Sequence, residues 1–148
     1  MTTRSEKGSR SQARQAAVQA IYQWQMTEQP PDQIENHFIS DHELSGVDLD
    51  YFHHLVREIP RHWHQIDDHL APHLDRVIDE VDPVERAILR ISTFEFEFHP
   101  EIPYKVVLNE AVELAKTFGA EHGHKFVNAV LDKVAAKLRS SEISRRAS

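Results

Sequence analysis

Apolar residues recur at helical spacing along almost the whole chain. Ala17, Ala20, Ile21 and Trp24 share one face, which predicts a helix from about residue 11 to Met26 with Ser9 or Ser11 as N-cap. Pro30 and Pro31 end that helix, and Pro31 suits the first turn of a second one carrying Ile34 and Phe38. The polar run from Ser40 to Gly46 reads as a loop. The most regular stripe follows: Phe52, Val56, Ile59, Trp63, Ile66 and Leu70 keep one face toward a core. Pro60 removes a backbone donor inside that stripe, so the segment is one kinked helix or two nearly coaxial ones. A short apolar helix is expected around Leu74, Val77 and Ile78, after Pro72.

Asp82-Pro83-Val84-Glu85 is a helix start, with an acidic N-cap, proline at N1 and a glutamate at N3 placed for a capping box. Phe94-Glu95-Phe96-Glu97-Phe98 alternates with period two, a strand signal. No second convincing strand exists to pair with it, so helix is preferred. A helix from Pro103 to Phe118 would bury Val107, Leu108, Ala111, Leu114, Ala115 and Phe118, with Gly119 as its C′ stop. A last helix, from about Glu121 to Arg139, carries Val127, Val130, Leu131, Val134 and Leu138 inward. The expected class is all-α: one helical domain over residues 10–139, a flexible basic arm at 1–9 and a flexible tail at 140–148.

Composition narrows the chemistry. The 148 residues include no cysteine, which removes disulfides, thiolate metal sites and cysteine nucleophiles and fits a reducing, cytoplasmic setting. No apolar run approaches the roughly 20 residues that span a bilayer. The N-terminal residues lack the apolar stretch of a secretory signal. The net charge of −7 opposes a simple nucleic-acid surface, yet residues 1–14 and 134–148 each sum to +3. Basic ends on an acidic body fit a local polyanion contact, because phosphate attraction follows the local patch; solvated tails are the plainer explanation.

Eleven histidines raise the question of a metal. Pro72 falls inside the His69/His73 pair and disturbs its helical geometry, and no His-Glu-x-x-His motif is present. Most of these histidines flank apolar stripes as solvated groups. Neither a nucleophile elbow nor a phosphate-binding glycine loop nor a dinucleotide fingerprint occurs. No enzyme activity, metal or cofactor is expected.

Three stretches carry more than composition: RQAAVQAIYQWQ (14–25), PVERAILRISTFEF (83–96) and IPYKVVLNEAVELAKTFGAEHGHKFVNAVLDKVA (102–135). Together they closely resemble the bacterial transcription antitermination factor NusB family, over about residues 10–139. The resemblance implies an all-α fold of about seven helices in two small packed bundles. It also implies a function: pairing with the ribosomal protein NusE and binding boxA-type single-stranded RNA. The pair would act within an RNA polymerase antitermination complex that reads through terminators in ribosomal RNA operons.

Site residues follow from the same resemblance, position by position. The arginine-rich entry to the first helix keeps Arg10 and Arg14, with Ser11, Gln12 and Ala13 between them. Tyr22 matches a family tyrosine near the NusE and RNA surfaces, and Glu85 matches an acid that contacts NusE. Arg90, a little over one turn further on, would suit a phosphate. The segment opening the last helix supplies His122, where some relatives carry aspartate, together with Lys125 and Phe126. Phe126 lies off the buried phase of Val127, so its ring is available to stack on an unpaired base. Lys116 is a further candidate phosphate partner. The alternative function is a helical adaptor that binds protein without its own RNA recognition.

Overall fold

The computed structural model describes residues 9–41 and 44–147. These residues form eight α-helices and two 3-10 turns, and the chain divides into two compact units, residues 1–62 and 63–148. The all-α expectation holds. The expected arm at 1–9 falls, apart from Ser9, outside the described residues, and so do its Arg4 and Lys7.

In the first unit α1 (Arg10–Thr27) starts where the Ser9 hydroxyl accepts the Gln12 amide at 3.1 Å. It ends at Glu28, whose backbone is left-handed at φ 58° and whose amide closes on the Trp24 carbonyl. Its inner face is made of small side chains: Ala13, Ala16, Ala17, Val18 and Ala20 are buried beside Ile21. Trp24, expected on that face, is half-buried. Helix α2 (Pro31–Asp41) buries Ile34 and Phe38, and α3 (Leu49–Arg61) buries Tyr51, Phe52, Leu55, Val56 and Ile59. The Phe38 and Phe52 rings pack with centroids 5.5 Å apart. Ser9 ties the start of α1 to the loop before α3, donating to the Gly46 carbonyl and accepting from the Asp48 amide. Gly46 sits at φ 84°, a backbone conformation open to glycine.

Pro60 stands in the last turn of α3, and the apolar stripe passes into a second helix, α4 (Trp63–Leu70). The helix is therefore broken at His62, not merely kinked. Trp63 is 39% exposed and stacks on His64, so it leaves the predicted core stripe, whereas Ile66 and Leu70 keep to it. No helix forms around Leu74, Val77 and Ile78. Two 3-10 turns, Ala71–His73 and Ile78–Glu80, flank an irregular stretch in which Val77 is 64% exposed.

The second unit is organised around α5 (Pro83–Phe98), which packs against α4, α6 (Tyr104–Phe118) and α7 (Gly123–Leu138). Every residue from Glu85 to Phe96 is buried. A helix enclosed on all sides has no solvent face to mark with polar residues, which explains why the Phe/Glu alternation misleads as a strand signal. Its buried charges find partners from neighbouring elements. Arg90 donates twice to Asp67 of α4, at 3.0 and 2.8 Å. Arg139, just past α7, donates to the carbonyls of Glu95, Phe96, His99 and Ile102 and to the Glu142 carboxylate. The guanidinium thus adds a donor to carbonyls at and just beyond the C-terminus of α5.

The segment expected as a C-terminal tail is helical over Ser140–Ala147 (α8). Glu142 anchors it by accepting the Tyr104 amide at 2.9 Å and the Arg139 guanidinium. Burial alone would raise the Glu142 pKa, but the Tyr104 amide and Arg139 hold it below the ordinary glutamate value. Gly119 ends α6 as expected, though in an extended conformation (φ −85°) rather than a left-handed one. Its need for glycine is space, since a Cβ there would lie 2.7 Å from the Ala115 carbonyl oxygen.

Replacing Arg139 by alanine removes one donor from each of four carbonyls and from a carboxylate. Urea unfolding should show a loss of about 3–5 kcal/mol, with Arg139→Lys intermediate because an ammonium cannot fork across these acceptors. Equal stability of parent and Arg139→Ala would contradict this role.

Candidate nucleic-acid interface

The proposed site residues fall into both units. On α1, Arg10 is exposed and its guanidinium lies 4.2 Å from the centroid of the Tyr51 ring. Arg14 is buried at 3% exposure, with its guanidinium 5.6 Å from the same ring. One turn of helix separates the two arginines, and the small-residue face draws the second inward while the first stays in solvent. Arg14 is therefore part of the packing of its unit. Tyr22, 38% exposed, presents an aromatic edge beyond the buried alanines.

In the second unit the start of α7 collects a group of candidates. His122 is its N-cap, in left-handed backbone at φ 68°, and its side chain is solvated beside Glu121. Lys125 is exposed and Phe126 half-buried. The Arg76 guanidinium lies over the Phe126 ring, 5.4 Å from its centroid, while its Nε and Nη2 donate to Asp75. Arg76 was not among the sequence candidates. The available signal was its isolation: it is the one basic residue among seven acids between residues 62 and 85.

Glu85 reaches the same corner. The Asp82 carboxylate caps α5 as predicted, accepting the Val84 and Glu85 amides. The Glu85 side chain does not close a capping box; it lies against the first turn of α7. A Cβ on Gly123 would stand 2.5 Å from Glu85 Oε2, so glycine is what lets the carboxylate in. Burial pushes the Glu85 pKa up, the Asp82 charge adds to this, and the Ala120 amide and Arg76 pull the other way.

Two candidates are placed elsewhere. Arg90 is buried and held by Asp67, so its charge serves the packing of α4 on α5 rather than a phosphate. Lys116 is exposed in the last turn of α6, with Glu113 at 3.8 Å. Among the described residues no cluster of His, Asp or Glu is arranged to hold a metal ion, and no helix is long and apolar enough to cross a membrane.

The structure is that of an all-helical protein that gathers an aromatic ring, cations and a buried acid at one helix start. The chain belongs to the NusB family, whose model matches residues 11–136. It is 56% identical over 138 residues to the transcription antitermination protein NusB of Nitrosococcus oceani, covering 93% of each chain. The counterpart from Pseudoalteromonas atlantica is 49% identical over 92% of this chain and 97% of its own. Among solved structures, T. maritima NusB superposes with a TM-score of 0.75 at 28% identity, covering 88% of this chain and 93% of that one. A structure of the antitermination factors NusB and NusE in complex with dsRNA contains a chain with TM-score 0.77 and 29% identity, covering 84% and 94%.

The raised Glu85 pKa gives a signed pH dependence. The folded state binds this proton more tightly than the unfolded chain, so the contribution is fully present below the unfolded pKa and is lost as pH rises through the folded one. Glu85→Gln should therefore gain stability relative to the parent as pH rises above the ordinary glutamate value. A stability difference that stays constant with pH, measured by urea unfolding, would contradict the assignment.

Proposed function

We propose that this chain is a transcription antitermination protein that binds RNA together with NusE. The carrying observation is the corner formed by His122, Lys125, Phe126, Arg76 and Glu85. It joins a ring able to stack on a base, cations for the adjacent phosphates and an acid suited to a basic protein partner. The family relationship and the NusB–NusE–dsRNA neighbour support the same reading. The RNA is single-stranded and boxA-like, and the pair works within an RNA polymerase antitermination complex on ribosomal RNA operons, in the cytoplasm. The chain acts by binding rather than catalysis.

Recognition is shared between the two proteins. An acidic chain can contribute to an RNA site when its cations are local and its acids face a basic partner. On this reading Arg10, Tyr22, Lys116, His122, Lys125 and Phe126 contact RNA, and Glu85 and Tyr22 serve NusE. Arg14 and Arg90 act through packing, since both are buried.

That loss of two basic candidates favours a second reading, a protein-binding adaptor without RNA recognition of its own. Fluorescence anisotropy of labelled boxA RNA and a scrambled control, with and without NusE, separates the two. The RNA-binding reading expects selective binding strengthened by NusE. It expects Phe126→Ala to weaken that binding about tenfold, on the 1–3 kcal/mol scale of a lost base stack, while NusE affinity is kept. Intact NusE association with no RNA selectivity would establish the adaptor instead.

A further inference from the structure

We infer that the RNA path extends beyond Phe126 along one flank of α7, where Lys133 and Lys137 form a phosphate-binding rail opposite the 71–76 segment. The inference rests on the RNA-binding reading above and assigns it further residues. Phe126, Lys133 and Lys137 are spaced by seven and four residues. At 100° per residue they fall within about 40° of one another around the helix axis, and over about 16 Å along it. That length accommodates a few nucleotides of an extended strand. Both lysines are exposed, and among the described residues neither has a carboxylate partner.

The opposite wall is formed by residues of another segment. Arg76 lies over Phe126 at one end. Toward the other, His73 and Lys137 line the same small cavity, with Pro72, His69, Asp68, Val134 and Leu138. Burial, then the charges of Lys137 and Lys133, pull the His73 pKa below its ordinary 6.5. The carboxylates nearby have other relations: Asp75 pairs with Arg76, and Glu97 with His69. Asp68 is the carboxylate that lines the cavity with Lys137. Asp132 stands about 120° round the helix from Phe126, off the flank.

This arrangement suits a polyanion with bases. An aromatic ring and a guanidinium mark the stacking end, and cations one to two turns further on meet the following phosphates. A globular acidic partner would not need a stacking ring in line with the lysines, and a basic one would be repelled by them.

The test is the double variant Lys133→Gln/Lys137→Gln, with Arg61→Gln in the first unit as an exposed charge loss outside the flank. Labelled boxA RNA is titrated in the presence of NusE across a range of salt. The expected result is about tenfold weaker RNA binding for the double variant and a log–log salt slope shallower by about 1.4, the loss of two single-strand phosphate contacts. NusE affinity and the Arg61→Gln protein should be unchanged. If RNA affinity and slope match the parent while Phe126→Ala still weakens binding, the rail is wrong and the stacking site stands. If NusE affinity falls and the salt slope does not, the flank is a protein surface and the inference is overturned. If the parent chain binds no RNA even with NusE, the RNA-binding reading itself fails, and the rail with it.

Discussion

The second unit depends on the burial of α5 from Glu85 to Phe96. A helix packed on every side must have each of its charged side chains and its open C-terminal carbonyls met from outside, because an unpaired charge in that setting costs several kcal/mol. Asp67 meets Arg90, and Arg139 meets the carbonyls at the helix end. Glu85 turns outward from the first turn of α5 toward Gly123 and the Ala120 amide. Arg86 is the least well served: its Nε is buried without a hydrogen-bond partner, and burial, together with Arg90, lowers its pKa. These obligations help fix where α4 and α7 meet the helix they pack against.

The same constraint builds the proposed interface. Because Glu85 must leave α5 by way of the 119–123 loop, the start of α7 is held against it, and Phe126 emerges one turn later at the edge of the core. The irregular 74–77 stretch then brings Arg76 over the ring. The proposed binding residues thus gather where regular structure gives out, at a helix start and a loop that rigid helices position. The first unit uses its arginines differently: Tyr51 receives both Arg10 and Arg14, but only the former remains in solvent.

Helices with a clean apolar stripe are legible in the sequence. The stripe through Phe52, Val56 and Ile59, the Asp82-Pro83 start and the core of α6 needed only periodicity and capping chemistry. Failures came where a residue's fate was set by another element. Trp63 lost its place when the backbone broke at His62, and the residues around Leu74 took irregular structure. Arg139 read as part of a basic end, since nothing local shows that α5 leaves carbonyls for it. For the proposed site, the family's motif singled out His122, Lys125 and Phe126, which the structure places together at the start of α7. Arg14 and Arg90 were misjudged because charge is visible in a sequence while the depth of a packed helix is not, and Arg76 went unnoticed because its partner ring is fifty residues away.

The most direct measurement is photo-crosslinking of 4-thiouridine boxA RNA to the protein–NusE complex, followed by peptide mapping. The account predicts adducts in the segments around Arg76 and between His122 and Lys137, with Phe126 prominent. Adducts confined to surfaces away from α7, or to NusE alone, would contradict it.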